Sequence, residues 1–290
     1  YERYNFGLRF KWNAADFYDL FGPTKRSRKG YSVGANYRRT LVSDDPRSLV
    51  LNLGTTAFWD LERLPDYQNV STSSSRLVSS SASITYTNQR ASIGAIDYEK
   101  GTMLELMAWN SVVRGEAFPA VVVNADGGVA LPLGHSSVWL RNSAGYSPGE
   151  RDEPYANFFF GGFGNNWVDD GRVKRYREFY SFPGLELNEL GGTNYVKSTL
   201  ELNLPPLRFR RLGTPGCHAT WLRPALFAMG AVTNLDDGGT RTEVASAGTQ
   251  LDLRLSLLSH LDLTFSIGYA AAFEKNRRHR DEFMFSLKVL

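Results

Sequence analysis

Residues 248–269 read GTQLDLRLSLLSHLDLTFSIGY, and apolar and polar side chains alternate along almost the whole stretch. Every second residue from Leu251 to Leu257 is leucine, and after Ser259-His260 the alternation resumes from Leu261 to Tyr269. A period of two places successive side chains on opposite faces of a β-strand. Because the connection is only a couple of residues long, the stretch predicts an antiparallel hairpin.

The length of these two strands points to a membrane. Each is roughly 9 to 11 residues long, which is the length of a tilted strand that crosses a bilayer in a closed barrel. The polar face carries charged residues, among them Asp252 and Arg254, while the other face is apolar. The hairpin therefore predicts an outer-membrane β-barrel with a polar lumen.

The composition of the chain agrees with a barrel and excludes a helical membrane protein. The hydrophobic content is 42% and the mean hydropathy is −0.32. No apolar run reaches the roughly 18 residues that a membrane-spanning helix needs. Alternating strands escape that test, because polar and apolar residues average out. We expect residues 1–290 to form one barrel domain.

Charge and reactive residues exclude several classes of function. The 33 basic and 30 acidic residues are spread along the chain and leave a net charge of only +3, so no nucleic-acid surface is indicated. The four histidines are scattered without metal-ligand spacing, and Cys217 is the one cysteine. The sequence thus predicts no enzyme, no metal site and no cofactor.

The same alternation recurs along the chain and predicts twelve strands. They span residues 4–12, 31–41, 49–59, 77–87, 102–113, 118–124, 136–146, 195–204, 221–232, 250–258, 261–270 and 282–290. Residues 13–29 and 60–75 are interpreted as loops, and residues 88–100 as a link between two strands. An even number of strands leaves both termini on the periplasmic side.

The last strand carries a second indication of an outer-membrane protein. Its apolar positions are Phe283, Phe285, Leu287 and Val289. This alternation is similar to the C-terminal signal that outer-membrane proteins present to the insertion machinery. In that signal the last residue is usually aromatic and lies on the apolar face, and Leu290 departs from both features.

A long stretch without alternation, 147–192, separates the seventh strand from the eighth. Loops of this length in a compact fold are usually functional. It contains FFFGGFGN at 158–165, FPGL at 182–185 and LGGTNY at 190–195, and the strand KSTLELNLP at 197–205 follows. Four more predicted strands complete the chain. This order resembles the C-terminal barrel of the BamA-like bacterial surface antigens and two-partner-secretion transporters.

The resemblance implies a barrel whose long extracellular loop folds back into the lumen, with Gly161 and Gly162 in its "GG" segment. It also implies an arginine at the loop tip that contacts acidic residues of the inner wall. The matching loop-tip motif here is Phe182, Pro183, Gly184 and Leu185, so a proline stands where the arginine is expected. Arg175 and Arg177 are the nearby candidates for the same charge role.

Two further expectations concern the barrel itself. The resemblance implies sixteen strands, so four would precede residue 1, be missing, or be hidden in the twelve predicted segments. Pairing between the first strand (4–12) and the last (283–290) would close the barrel, and a weak seam could open laterally.

Charged residues on the polar strand faces must point into the lumen, because each would cost a few kcal/mol against lipid at mid-bilayer. They are Arg9, Lys11, Arg38, Glu105, Arg141, Lys197, Glu201, Asp252 and Arg254. One interpretation is a paired and solvated inner wall. The other is a docking surface for the long loop, for which Glu201, Asp252 and Arg254 are the best candidates.

These features favour a transport, insertion or anchoring module of a larger envelope protein in the outer membrane of a Gram-negative bacterium. A soluble periplasmic domain is expected before residue 1. Expected partners are outer-membrane lipid and lipopolysaccharide, the outer-membrane assembly machinery and periplasmic or envelope proteins. The alternatives are a passive porin-like channel and a soluble ligand-binding β-barrel or sandwich.

Overall fold

A computed structural model describes residues 4–12, 30–60, 74–164, 168–169, 174–214, 216–258, 261–275 and 277–289. The predicted loop 13–29, most of the predicted loop 60–75 and Leu290 lie outside these residues. All structural statements below concern the described part of the chain.

Antiparallel strands make up most of the described chain. In chain order they are β1 (Tyr4–Lys11), β2 (Tyr31–Asp44), β3 (Arg47–Trp59), β4 (Leu77–Arg90), β5 (Lys100–Val113), β6 (Glu116–Ala130), β7 (Ser137–Tyr146), β8 (Phe158–Phe160), β9 (Val168–Asp169), β10 (Leu190–Gly192), β11 (Asn194–Asn203), β12 (Leu207–Thr214), β13 (Cys217–Thr233), β14 (Thr242–Leu257), β15 (Leu261–Glu274) and β16 (Arg280–Val289). Among the described residues, helix is limited to two 3-10 turns, Pro154–Ala156 and Arg175–Arg177. The predicted all-β fold is confirmed.

The twelve predicted strands correspond to β1 to β7, β11 and β13 to β16, and residues 91–99 form the predicted link. Neighbours along the chain pair in sequence, and β7 pairs with β11 across the long loop. The predicted hairpin is β14–β15, with Leu251 opposite Ile267 and Leu257 opposite Leu261. We call the end with residues 4 and 289 the termini end, and the end with residues 147 and 193 the loop end.

The sheet has an apolar outer face and a polar inner face. On the β14–β15 hairpin, Asp252 and Ser266 are buried inside, whereas Leu251 and Ile267 lie on the outside. Many large apolar side chains of the outer face are exposed, including Leu8, Val33, Leu53, Leu104, Leu106, Val121, Val123, Leu140, Val196, Leu200, Leu226, Phe283 and Phe285. A continuous exposed apolar surface of this kind is typical of contact with lipid.

Strand β12 was not predicted from the sequence. It continues the line of β11 along β13, since Asn203 lies opposite Ala225 and Leu207 opposite Leu222. Pro205 and Pro206 interrupt the two strands, because proline has no N–H for the ladder. β7 ends where Ser137 meets Asn203, so β12 extends past it at the termini end.

The predicted seam between the first and last strands is not formed among the described residues. β1 pairs with β2, and the far edge of β16 pairs with β9, a short segment of the long loop, in parallel. Leu287 lies opposite Val168, and Lys288 lies opposite Asp169. The N–H and C=O groups of an edge strand need partners, and here the loop supplies them locally.

The two short helical turns carry no membrane span. No helix in the described ranges is both long and apolar enough to cross a bilayer, a finding that concerns helices alone.

Candidate functional site in the lumen

The long loop leaves β7, enters the lumen and returns to β11. Its base is closed by a hydrogen bond in which the Ser147 N–H donates to the Thr193 carbonyl at 2.8 Å. Below the base, β8 pairs with β10, and the Phe182 N–H donates to the Gly162 carbonyl at 2.9 Å. The loop therefore runs into the barrel and back out as two paired segments, as the family resemblance implied.

Aromatic side chains fill the part of the lumen near the loop end. Tyr176 of the loop stacks on Phe227 of β13 with ring centroids 4.4 Å apart. Phe160 packs edge-on against Tyr195 of β11 at 4.7 Å. Phe158, Phe160, Phe163 and Phe182 are almost completely buried. The loop is thus packed against the inner wall in the manner of a protein core.

Nearer the termini end, Arg177 of the loop binds the buried carboxylate of Glu201. The Arg177 Nε and Nη2 atoms donate to Glu201 Oε2 and Oε1 at 2.8 and 2.5 Å, which is a two-pronged contact. Arg141 of β7 donates to the same carboxylate at 3.2 Å and also pairs with Asp126 at 2.5 Å. Glu201 is completely buried, so its charge depends on these two arginines.

The turn 91–99 reaches the same arginine from the termini end. The Asp97 carboxylate lies 2.8 Å from Arg177 Nη1 and 3.7 Å from Arg223 Nη1 of β13. Burial alone would raise the pKa of Asp97, but the charge and hydrogen bond of Arg177 outweigh it, and the pKa lies below its ordinary value. Arg177 thus joins the long loop, the strand wall and the opposite turn.

The turn 91–99 is itself fixed at both sides of the barrel mouth. The Glu99 carboxylate accepts hydrogen bonds from the Ser92 backbone N–H at 2.9 Å and contacts His135 Nδ1 at 2.9 Å. On the other side, the Arg208 guanidinium of β12 donates to the Gly94 carbonyl. The turn consequently crosses the lumen beneath the long loop.

Two lysines hold the loop at different depths. Lys174 of the loop donates to Asn203 Oδ1 at 2.8 Å and lies 3.9 Å from Asp252 Oδ2. Burial lowers the pKa of Lys174 to about 8, although the charge of Asp252 opposes that shift. Lys197 of β11 donates to the carbonyl of Phe179, a loop residue, at 2.5 Å.

The segment predicted as the loop tip lies along β14 to β16. The Glu282 carboxylate of β16 accepts hydrogen bonds from the backbone N–H groups of Phe163 and Gly184, both at 3.0 Å. Gly184 has a φ of +93°, and a Cβ there would lie 2.6 Å from the backbone nitrogen of Ala272. Only glycine fits this close approach in that conformation.

The sequence-predicted residues are therefore distributed as follows. Residues 182–185 lie along the inner wall near the loop end, whereas residue 174 lies nearer the termini end, beside Asn203. Arg177 contacts the acidic wall, whereas Arg175 contacts Ser286 at 3.1 Å and Glu178 at 3.3 Å. Gly161 and Gly162 connect the two legs of the loop through backbone hydrogen bonds.

Of the three wall residues predicted to dock the loop, the structure brings two to it. Glu201 meets Arg177, and Asp252 faces Lys174. Arg254 pairs instead with Asp262 of β15 at 2.8 Å. On the last strand, Phe283 and Phe285 are exposed on the outer face, as their alternation predicts.

Sequence reasoning missed Asp97, Lys174, Arg223 and Glu282. Asp97 and Lys174 lie in segments without strand periodicity, so no pattern places them in the lumen. Glu282 and Arg223 lie at inward positions of β16 and β13, and their alternation was the available signal. No group of three or more potential metal-ligating side chains occurs within the described ranges.

Comparison with known proteins agrees with this geometry. Residues 100–212 match the family model described as the OMP85 superfamily. The match runs from the start of β5 into β12 and includes the whole long loop, and it confirms the family resemblance drawn from the sequence. No curated protein matches the chain.

Proposed function

From the assignment of residues 100–212 to the OMP85 superfamily of outer-membrane transport and insertion barrels, we propose that this chain is the membrane module of a Gram-negative transporter or insertase. Its lumen is closed at rest by its own loop. No catalytic role is assigned to it.

The contact of Arg177 with both Glu201 and Asp97 carries this proposal. The arginine belongs to the long loop, Glu201 to the strand wall, and Asp97 to the turn at the opposite end. A charged contact that joins structures from both ends across the lumen obstructs the path that a passive pore would keep open. A gated lumen needs such a contact, because it defines one closed position.

The chemistry of the contact suits a gate. A buried ion pair contributes little net stability compared with apolar packing, but it specifies geometry strongly. The base of the loop is fixed separately, since Arg151 pairs with Asp236 and Asp237 at the loop end. The segment 174–178 can therefore leave Glu201 while the base of the loop stays attached to the barrel.

Planar-bilayer conductance tests the proposal. We expect the wild-type protein to show small or erratic conductance, and Arg177→Ala to show larger and steadier openings. Arg241→Ala is the matched control, because Arg241 forms an exposed ion pair with Glu243 outside the lumen. Large, steady conductance of the wild type, unchanged in Arg177→Ala, would rule out the gate.

One observation favours the alternative of a passive channel. A cavity of about 360 Å³ lies along the inner wall of β1 to β4, where Arg9 and Lys11 face small side chains. If ions passed here, these cations would favour anions. Reversal of ion preference by Arg9→Glu, with wild-type conductance large and steady, would support the porin. The soluble alternative conflicts with the exposed apolar outer face.

The setting of the barrel follows from its surfaces. We propose that the apolar outer face contacts outer-membrane lipid and lipopolysaccharide, and that residues 283–289 are recognised by the outer-membrane assembly machinery. The single domain, the periplasmic domain before residue 1 and its envelope partners stay predictions. Lateral opening would proceed at β16, where β9 must first leave the strand edge.

A further inference from the structure

The outer face of the barrel has a depression on β4 to β6, close to the loop end. We call it the outer groove, and its volume is about 550 Å³. Its floor consists of small, exposed side chains, Ser80, Ala82, Ala108 and Pro119, and it is bordered by Val121 and Tyr146. Ligand pockets commonly have volumes of about 300–1,000 Å³, so the groove is large enough to hold part of a lipid molecule.

The register of the strands explains the depression. Ala82 lies opposite Ala108, and large side chains surround this pair on the same face. They are Leu53 and Val121 on the neighbouring strands, Ile84 and Leu106 toward the termini end, and Val78 and Val112 toward the loop end. Small side chains enclosed by large ones leave a hollow in the apolar outer face.

Three aromatic side chains mark the depth of the groove in the membrane. Tyr31 lies between Trp12 and Trp59, with ring centroids 4.9 and 6.1 Å away. All three stand at the loop end of β1 to β3, and Trp12 is 70% exposed. Aromatic residues at the end of an apolar outer face are typical of the boundary between hydrocarbon and headgroups. The headgroups of the outer leaflet are therefore expected at the level of Trp59.

The outer groove lies on the hydrocarbon side of this boundary. On β3, the partners of Ser80 and Ala82 are four and six residues from Trp59. At about 3.3 Å per residue and a strand tilt of about 40°, this corresponds to roughly 10–15 Å of depth. At that depth, acyl chains are the molecules available to fill a hollow in the lipid-facing surface.

Two arginines stand at the level of the headgroups, on the strands that form the groove. Arg76 directly precedes β4 and lies beside Trp59 when the β3–β4 register is continued. Arg114 follows β5 at the same end of the sheet and pairs with Glu153 of the long loop at 3.2 Å. Both arginines are exposed. Arginine at a membrane boundary attracts anionic headgroups and binds phosphate oxygens well.

We propose that the outer groove binds an acyl chain of lipid A, the phosphorylated saccharolipid part of lipopolysaccharide, with a phosphate group at Arg76. In the proposed orientation the loop end faces the outer leaflet, which is where this lipid resides. The inference rests on the proposed outer-membrane location, and it assigns one selective site on a surface that otherwise contacts lipid without selection.

Native mass spectrometry of the detergent-folded full chain tests this, because it counts the lipids that stay bound to the barrel. The probe is lipid A with two phosphates, and the comparison is phosphatidylglycerol, an anionic phospholipid. We expect one lipid A molecule to be retained at detergent concentrations that remove phosphatidylglycerol.

A variant that fills the groove tests the acyl-chain contact. Ala108→Phe should weaken retention of lipid A about tenfold or more, since exclusion of two methylene groups from the groove corresponds to roughly that factor. Ala108 is exposed on the outer face, so the larger side chain does not enter the core. Ala228→Phe is the matched control, because Ala228 is exposed on the outer face of β13, opposite Leu200.

A second variant tests the headgroup contact. Arg76→Gln should weaken retention about threefold, because exposed charge pairs contribute little. Arg241→Gln is its control, since Arg241 is exposed at the same end of the barrel and pairs with Glu243. Heat-modifiable gel migration confirms that each variant is folded.

The wild type that retains no lipid A, or retains phosphatidylglycerol equally well, would overturn the proposal. Unchanged retention in folded Ala108→Phe would remove the groove as the site, and unchanged retention in Arg76→Gln would overturn the role of that arginine. These results are independent of the conductance of Arg177→Ala. A barrel that is gated as proposed but retains no lipid A would keep the gate and lose this site.

Discussion

The inner wall of β1 to β4 and that of β11 to β16 follow the same sequence rule and end in different environments. On β1 to β4 most inward side chains are small, polar or basic, and Arg9, Lys11, Thr56 and Ser81 line a cavity. On β11 to β16 they are buried against the long loop, as Glu201 is. A period of two defines which side chains point inward, and the contact partner defines what they do.

We call the inner wall of β1 to β4 the first arc and that of β11 to β16 the second arc. The polar side chains of the two arcs have different hydrogen-bond partners. Hydroxyls of neighbouring strands bond each other in the first arc, for example Ser48 and Thr87 at 2.6 Å. In the second arc, inward charges bind groups of the loop, for example Lys197 and the carbonyl of Phe179. Substitutions in the second arc should therefore affect the loop as well as the wall.

The largest effect is expected from placing charged side chains on the apolar outer face. Leu253 and Phe265 lie opposite each other on the outer face of β14 and β15. Replacing both by arginine should abolish membrane assembly, because each arginine costs about 2–4 kcal/mol at the bilayer midplane. Heat-modifiable migration of protein extracted from membranes measures assembly. Ser81→Arg is the control and should assemble, because Ser81 lines the cavity inside the barrel. Normal assembly of the double variant would refute the outward orientation of Leu253 and Phe265.

The next largest effect separates a wall carboxylate that binds the loop from one that bonds only within the wall. Glu201→Ala should lower the free energy of unfolding by about 3–5 kcal/mol, because the half-buried Arg141 and Arg177 lose a shared, fully buried carboxylate. The comparison is Glu105→Ala, whose carboxylate accepts neutral hydrogen bonds from Thr85 and Asn124. That loss should be nearer 1 kcal/mol. Denaturant titration in detergent, followed by tryptophan fluorescence, gives both values, and equal losses would contradict the distinction between a carboxylate bound to the loop and one bonded only to the wall.

A smaller effect tests the packing of residues 182–185 against the inner wall. Gly184→Ala should destabilise the loop by about 1–3 kcal/mol, because alanine is strained at φ +93° and its Cβ meets the backbone of Ala272. Gly230→Ala on β13 is the matched control, since a Cβ there has nothing within 4 Å. Limited proteolysis of the folded barrel reports loop release. Equal protection of both variants would place residues 182–185 elsewhere.

The smallest effect concerns acid. The pKa of Asp97 is lowered in the folded state, so its contribution to closure is complete above the unfolded value of 3.8 and disappears as the pH falls through the lower folded value. We expect conductance to stay low from pH 7 to about pH 4 and to rise only below it. Asp97→Asn should remove this acid step. Opening between pH 5 and 7 would point to another titrating group.

Particular residues show how far the sequence alone could lead. Alternation found all twelve long strands, and it placed Glu201 and Asp252 inside and Phe283 and Phe285 outside. It missed β12, because Pro205 and Pro206 break the periodic pattern before it resumes. The predicted pairing of the first and last strands is not formed among the described residues, and the two-residue pairing of β9 with β16 has no local signal in a loop of irregular composition.

The candidate site was predicted in part. The sequence named Arg177 and Glu201, and it proposed a charged contact between loop and wall without choosing between Arg175 and Arg177. The turn residue Asp97 and the strand residue Arg223 were absent from it. Their role depends on contacts between segments about 80 to 130 residues apart, as in the Asp97–Arg177 pair, and such contacts leave no periodic mark in one sequence.

The sequence by itself determined the strands, their two faces and the presence of a long loop, because side-chain direction in a strand is a local property of the backbone. Only the tertiary structure decided which arc the loop covers, which carboxylates hold Arg177, and that β9 rather than β1 lies beside β16. Those outcomes depend on how distant segments meet inside a confined lumen, where each buried charge and each strand edge takes the partner within reach.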